Sequence, residues 1–555
     1  MSAGRAGRLQ VLVRQRLRRD RAQLLIWVLG TGVLAAGSVA SVVKTYGTPQ
    51  DRAGILQVAV ANPTILVLRG LPDGTSTGGF AFFELFAFLA VLAGLMSTFL
   101  VVRHTRAEEE TGRAELIAST PAARTLPTVA TVIVGVLANV ALGVVVALAF
   151  LTIGVGSGTS GADVAGSLLT GAALAGVGIF FVGAALLVAQ VMRTSRGANG
   201  VAAALVGAAY LLAGIGNAVG ALGGATGAAG IDVTSAWPSW LSPIGWGHQV
   251  HPFTTANALP LLLDLAGAAV LVASAFAVQA SRDSGASLLG ARAARASARR
   301  LLASPLALAW RLQWPTIVGW AVGGAALGAL VGALGPAVQS AVNSDAAALR
   351  QIGGGDPNAS IVSLFVRAVF SIIGVLAAGS AVQAVIRLRQ EQTAGTAELV
   401  LAARVSRATW MLGYLIVGTV AVIVVLGSAA LVAAALLGAD AGPAGATPGS
   451  ATAGDVFGAA LAQLTAALLY LGGLALVFSL VPRATIAVGW GALAAGTALG
   501  LYGALLGIPQ WLRDVSPFAH SPAAASDWSG GYWMLALAAL AAAGAAAVIR
   551  RREVV

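Results

Sequence analysis

The side chains able to do chemistry in this chain are few and scattered. There are four histidines, His104, His248, His251 and His520, and no cysteine. Only His248 and His251 stand at a metal-ligand spacing, and without cysteine neither a thiolate site nor a disulfide can form. The single lysine, Lys44, lies in A-S-V-V-K-T-Y. That is not a G-x-x-x-x-G-K-[ST] loop, in which backbone amides and a lysine cradle nucleotide phosphates. No catalytic triad, carboxylate pair or metal cluster is legible. The chain reads as a non-enzyme with no metal and no cofactor of its own.

What does recur is a polar segment. V-V-R-H-T-R-A-E-E-E-T-G-R-A-E-L ends at Leu116, and A-V-I-R-L-R-Q-E-Q-T-A-G-T-A-E-L ends 283 residues later at Leu399. Arg106, Glu108, Gly112, Ala114, Glu115, Leu116 and Arg124 match Arg389, Glu391, Gly395, Ala397, Glu398, Leu399 and Arg407. With Val102 and Val385, 8 of 23 positions are identical, most of them polar or special residues that an apolar bias does not generate. Such residues allow two roles: an Arg–Glu pair that closes a short loop on itself, or docking of a soluble partner once per copy.

The elements that hold these segments are membrane spans. Of 555 residues, 58% are hydrophobic and 10% charged, and the mean hydropathy is +0.86. A soluble domain is about a quarter charged. Apolar runs long enough to cross roughly 30 Å of hydrocarbon recur throughout, and the 71 glycines suit close helix contact in lipid. Charge and turn residues bound twelve spans near 22–43, 79–102, 126–150, 164–190, 200–218 and 259–280, then 315–336, 361–386, 409–437, 455–480, 484–506 and 530–549. The first is too long for a signal-peptide core and reads as an uncleaved anchor. With a cytoplasmic N-terminus, 27 of the 33 basic residues fall on the cytoplasmic side. That is the positive-inside pattern, with both termini cytoplasmic. The net charge of +12 then faces anionic lipid, and nucleic acid is not required.

The fold class expected is therefore an all-α polytopic membrane protein. Its twelve transmembrane helices form two homologous six-helix halves, parallel copies about a pseudo-twofold axis along the membrane normal. The boundaries expected are 1–283, a cytoplasmic linker and interfacial helix at 284–314, and 315–555. An amphipathic interfacial helix precedes each half: Leu9, Leu12, Val13 and Leu17 keep helical period among arginines, and Leu306, Trp310 and Leu312 follow Ser304-Pro305.

Ionisable residues inside spans invite a functional reading. Glu84 and Arg367 are also 283 residues apart. They lie 19 and 20 residues from the inner ends at Arg103 and Arg387, about 28–30 Å along a helix. An opposite-charge pair there would seal an outer gate; alternatively each side chain reaches outer head groups. Phe82 and Phe86 share a face of the second span and suit an apolar pathway, although five phenylalanines around that helix equally suit a lipid-facing belt. Asp264 reads as interfacial. The segments 219–258 and 507–529, rich in Trp and Pro, suit short re-entrant helices.

The R-x-E-x-x-x-G-x-A-E-L segments are joined by Trp240-Leu241-Ser242-Pro243 in one half. In the other stand Trp511-Leu512 and Ser516-Pro517-Phe518-Ala519-His520. With these motifs the chain resembles, over nearly its full length, the fused double-length permeases of actinobacterial polyketide-antibiotic and multidrug exporters, in the ABC-2 (type V) class. The resemblance implies that the repeated segments are coupling helices, comprising Arg106, Glu108, Gly112, Glu115 and Leu116, and Arg389, Glu391, Gly395, Glu398 and Leu399. It implies two copies of a separate ABC ATPase subunit that bind ATP and Mg, and amphiphilic drugs or antibiotics exported across the inner (plasma) membrane. Helices two and five of each half would line the path. Lipid or glycan export is an alternative cargo. An ion-coupled secondary transporter is the rival mechanism, and it would want an acidic residue at mid-membrane.

Overall fold

The computed structural model describes residues 2–61, 63–120, 123–153, 161–222, 231, 233–281, 304–342, 361–403, 405–440, 451–501, 503, 508–522 and 528–552. Twelve of its helices are long and apolar enough to cross a membrane, so the chain is an all-helical polytopic membrane protein. It divides into two compact units, Met1–Ala293 and Ala294–Val555. Of the expected linker, residues 284–303 lie outside the described residues, as do 441–450 of the loop between the ninth and tenth spans.

In chain order the first unit runs α1 (Ser2–Thr45), α2 (Pro49–Ala61), α3 (Pro63–Arg69), α4 (Thr77–Arg103), α5 (Arg106–Glu110), α6 (Arg113–Ala118), α7 (Leu126–Ile153), α8 (Gly161–Val191), α9 (Ser195–Leu222), α10 (Pro243–His248) and α11 (Pro260–Ser281). The six long helices α1, α4, α7, α8, α9 and α11 are the spans. Helices α4 and α8 form the centre, packed on each other and on α7 and α9. Close contact depends on small residues. A Cβ on Gly143 of α7 would lie 2.4 Å from the Gly171 carbonyl of α8, so only glycine lets these backbones meet. Beside it Asn139 donates to Ser97 Oγ at 2.8 Å, and Ser97 donates to the Gly178 carbonyl at 2.8 Å. One buried amide thus ties α7, α4 and α8; such bonds contribute on the order of 0.6–2 kcal/mol in lipid.

The second unit runs α12 (Pro305–Val342), α13 (Ile361–Thr393), α14 (Thr396–Leu401), α15 (Arg407–Asp440), α16 (Ala453–Leu480), α17 (Thr485–Leu501), α18 (Gln510–Arg513) and α19 (Ser529–Arg551). All but α14 and α18 are spans, and α13 is central, packed on α12, α15, α16 and α17. The start of α16 is fixed by a reciprocal cap in which Asp455 N donates to Thr452 Oγ1 and Thr452 N donates to the Asp455 carboxylate.

Two expectations change. The separate interfacial helices are instead the first turns of continuous helices: α1 is unbroken over 44 residues and α12 over 38. Nothing between Arg8 and Val28 breaks a helix, and the change from basic to apolar residues near Gln23 alters the solvent without altering the backbone. The two short helices α2 and α3 between the first and second spans are additions that the apolar runs did not signal.

Candidate coupling segments and the residues around them

At the end of α4 the chain breaks sharply. Thr105 donates its hydroxyl to the Val101 carbonyl at 2.7 Å and adopts φ −125°, ψ −90°, competing with the helix ladder. The short α5 follows, then Gly112 at φ 70°, ψ 1°, then α6. In the second unit the residue matching Thr105 is Leu388, and α13 continues unbroken to Thr393. Gly395 then turns the chain at φ 70°, ψ 0° into α14. The left-handed turn is the same in both copies, and an L side chain there costs roughly 1–2 kcal/mol.

The repeated residues separate into two groups. Arg106 is 2% exposed. Its Nε donates to the Ala189 carbonyl at 3.0 Å, Nη2 approaches that of Gln190 at 3.4 Å, and Nη1 pairs with Glu109 at 2.7 Å. It therefore seats α5 on the carbonyl end of α8, where a cation is favoured. Glu108 is also buried and meets Arg19 at 3.0 Å, Arg16 at 3.4 Å and His104 Nδ1 at 3.6 Å. His104 Nε2 bonds Asp20, Arg103 pairs with Asp20 at 3.0 Å, and Arg16 donates to the Pro127 carbonyl at 2.7 Å. This network straps α1, α4 and α5 together. In the second copy Glu391 is held locally, by Arg387 at 2.5 Å and by the Thr396 hydroxyl. Buried charge needs such partners, because an unpaired ion in a low-dielectric site is costly.

The other group points outward. Glu115, Leu116, Glu398 and Leu399 are exposed, with Leu116 at 72% and Leu399 at 76%. A Cβ on Gly112 or Gly395 would meet nothing within 4 Å. Each unit thus presents a six-residue helix with an acidic–apolar Glu-Leu edge covered by none of its own described residues. Of the two roles that the sequence left open, the structure shows the first: Arg106 and Glu108 close the segment onto other helices and Glu391 closes it locally, while the Glu-Leu edge is exposed.

Glu84 is engaged within its own unit. Arg69, the last residue of α3, pairs with it at 2.6 Å, and Tyr210 of α9 donates to the adjacent Leu68 carbonyl at 2.7 Å. Arg367 is half-buried in α13. The phenylalanines of α4 do not form a lipid-facing belt: Phe80, Phe82, Phe83 and Phe86 are buried and only Phe88 is exposed, at 44%. Phe82 and Phe86 stack at 4.6 Å, and His248 meets Phe86 edge-on at 5.3 Å.

His248 belongs to α10, which folds back against α4, α8 and α9. Its imidazole is buried with neither ring nitrogen hydrogen-bonded. Burial, with His251 nearby as a smaller cause, holds its pKa down at about 3. Gly70, at φ 119°, lies against it: a Cβ there would stand 2.5 Å from Nε2. In both units the Ser-Pro motif fixes the fold-back. Ser242 donates to the Ala209 carbonyl at 2.6 Å and Ser516 to the Gly496 carbonyl at 2.7 Å, so each hydroxyl pins its segment to the fifth span of its half. Asp264, expected at the interface, is wholly buried in α11. The network residues Arg16 and Asp20 were missed from sequence, although Asp20 is the one acidic residue among the N-terminal arginines and stands four positions after Arg16.

Comparison with known proteins agrees with this architecture. The family model for the C-terminal domain of the multidrug efflux system permease Rv1217c matches residues 302–550. The multidrug efflux system permease protein Rv1217c of Mycobacterium tuberculosis is 35% identical over 553 residues, covering 98% of this chain and 94% of that protein. The chain belongs to the Rv1217c family of multidrug efflux permeases.

Proposed function

We propose that this chain is the membrane-spanning subunit of an ATP-driven exporter of amphiphilic drugs or antibiotics, in the fused ABC-2 (type V) class. It would lie in the inner (plasma) membrane with both termini cytoplasmic. Two copies of a separate ABC ATPase subunit bind ATP and Mg and seat on α6 and α14. The observation that carries this reading is the pair of Gly-turned helices, identical in backbone at Gly112 and Gly395, each with an uncovered Glu-Leu edge. An acidic rim around an exposed leucine suits a basic-edged apolar groove on a soluble partner. The name of the M. tuberculosis relative, a permease of a multidrug efflux system, supports the drug cargo.

The local geometry supports a route for force. When the ATPase subunits close, displacement at α6 passes to α5 and from there, through Arg106 to α8 and through Glu108 to α1. Displacement at α14 passes straight into α13. Rigid seats are needed, because a loose loop would absorb the motion without moving a span. The test is co-purification with the co-expressed ATPase subunit. Glu115→Arg combined with Glu398→Arg should abolish it while leaving elution and melting of the permease unchanged, since both side chains are exposed. Retained binding with retained drug-stimulated hydrolysis would sink the docking assignment. Drug movement by the purified chain alone on an ion gradient would replace the mechanism with a secondary transporter.

A further inference from the structure

The last span of the first unit, α11, buries a narrow stripe: Pro260, Asp264, Ala268 and Ala275. Its counterpart in the second unit, α19, buries Gly531, Met534, Ala538, Ala545 and Ile549. The two stripes pack alike. A Cβ on Gly183 of α8 would stand 2.9 Å from the Ala268 carbonyl, and one on Gly472 of α16 would stand 2.4 Å from the Ala538 carbonyl. One turn before these alanines are Asp264 and Met534, both fully buried. The fold therefore accepts a thioether at this place, and packing does not demand the carboxyl group.

Nor does internal bonding. Both carboxyl oxygens of Asp264 lack a hydrogen-bond partner, and it enters no ion pair among the described residues. A buried polar group in a span without a partner in its own chain is costly, which points to a partner from outside the chain. A cleft of about 420 Å3 opens beside it between α7, α8 and α11, with a lining that includes Val140, Val144, Ala172, Gly176, Leu261 and Leu265. Its size falls in the range of small-molecule sites, and its wall is apolar. Leu261 and Leu265 stand three residues before and one after Asp264. Asp264 lies behind the lining at Gly176: a Cβ there would meet Asp264 Cβ at 3.4 Å and Oδ2 at 3.5 Å. An ammonium set against the Gly176 backbone comes within the roughly 4–6 Å over which opposite charges act strongly.

We propose that this cleft binds a monocationic amphiphile, its apolar body along α7 and α8 and its ammonium at Gly176, facing the Asp264 carboxylate. The proposal rests on the drug-efflux reading and names a substrate class for it. Diphenylhexatriene and its trimethylammonium derivative, which differ only in the cationic group, are suitable probes. Saturable energy transfer from tryptophan is measured on the purified full chain in nanodiscs. The wild type should hold the cationic probe about tenfold or more tighter than the neutral one, as a desolvated charge pair gives. Asp264→Met, which installs the residue of the second unit, should bring the ratio to about one with neutral binding unchanged; Asp264→Asn repeats the test should the first variant misfold. Val144→Trp, which fills the cleft, should weaken both probes. A cationic preference that survives both Asp264 substitutions overturns the proposal, as does the lack of saturable binding by either probe. Binding is read without ATPase or transport, so these failures leave the efflux reading standing. Cells that export dyes no faster with the wild-type chain and its ATPase subunit than without them would count against that reading instead.

Discussion

Replacing Arg106 by methionine tests whether the repeated segment is held in place differently in the two halves. Methionine keeps much of the apolar stem and removes the charge and the fork. The wild-type guanidinium, with its side chain 1% exposed, gives a charge-assisted bond to the Ala189 carbonyl and pairs with Glu109. The bond is worth about 1.5–3 kcal/mol when a charged donor is lost from a buried acceptor. Loss of a cation at the end of α8 adds roughly 0.3–1 kcal/mol. The ion pair is discounted because Glu109 is 19% exposed and solvent reaches it. The sum is about 3 kcal/mol. Arg389, the matching residue, is half-buried, its guanidinium makes no hydrogen bond or ion pair among the described residues, and Arg552 stands near it as a like charge. Arg389→Met should cost less than about 1 kcal/mol. At about 2–4 °C per kcal/mol for a large domain, thermal unfolding in detergent should fall by roughly 6–12 °C for Arg106→Met and under ~4 °C for Arg389→Met. Equal shifts, or an Arg106 variant that melts with the wild type, would refute the claim that Arg106 seats α5 on α8.

Gly112→Ala and Gly395→Ala should each cost roughly 1–2 kcal/mol and by the same amount, because φ is 70° at both and an added Cβ touches nothing; unequal melting shifts would show that one turn is also packed. Acid should destabilise the fold through His248: its folded pKa of about 3 lies below the ordinary imidazole value, so its contribution is complete above pH 6.5 and declines as pH falls toward 3. The loss is about 1.4 kcal/mol per pH unit in that window, and His248→Phe should flatten this part of a melting-against-pH profile.

Much of the architecture was legible because lipid imposes a length on each apolar run, and because duplication leaves polar identities that composition cannot imitate. The pair of segments around Gly112 and Gly395 was found that way. What stayed hidden depends on contacts between distant pieces. Glu84 invited a partner at the same register of the other half, yet Arg69 reaches it from α3, a seven-residue helix too short to announce itself by periodicity. Phe80, Phe82, Phe83 and Phe86 seemed to surround their helix because α4 is itself surrounded, by α1, α7, α8, α9 and α10. A central helix buries most of its faces, so position around the wheel carries little information about lipid. The burial of Asp264 was equally invisible, since a carboxylate one turn inside a span looks the same whether it faces head groups or a neighbouring helix.

The two halves share several local backbone features and differ in the chemistry placed on them. The left-handed glycines, the serine pins at Ser242 and Ser516 and the Gly183 and Gly472 contacts are common to both. Thr105, His104 and Asp264 of the first half are replaced by Leu388, Arg387 and Met534 in the second. The replacements change how each half is held. Leu388 lets α13 run straight into the second segment, and Arg387 satisfies Glu391 within a single turn where His104 requires Asp20 from α1. A stiff continuous helix and a broken one strapped to α1 and α8 respond differently to the same push. On the proposed function, force on α14 would be delivered to one span, whereas force on α6 would be shared among three. The unit that shares the force is also the one that carries the unpaired carboxylate and its cleft, since α8 both receives Arg106 and walls the cleft at Gly176. If closure of the proposed ATPase subunits moves α8 through Arg106, it would therefore alter the distance between Gly176 and Asp264, which is where the cation is proposed to sit.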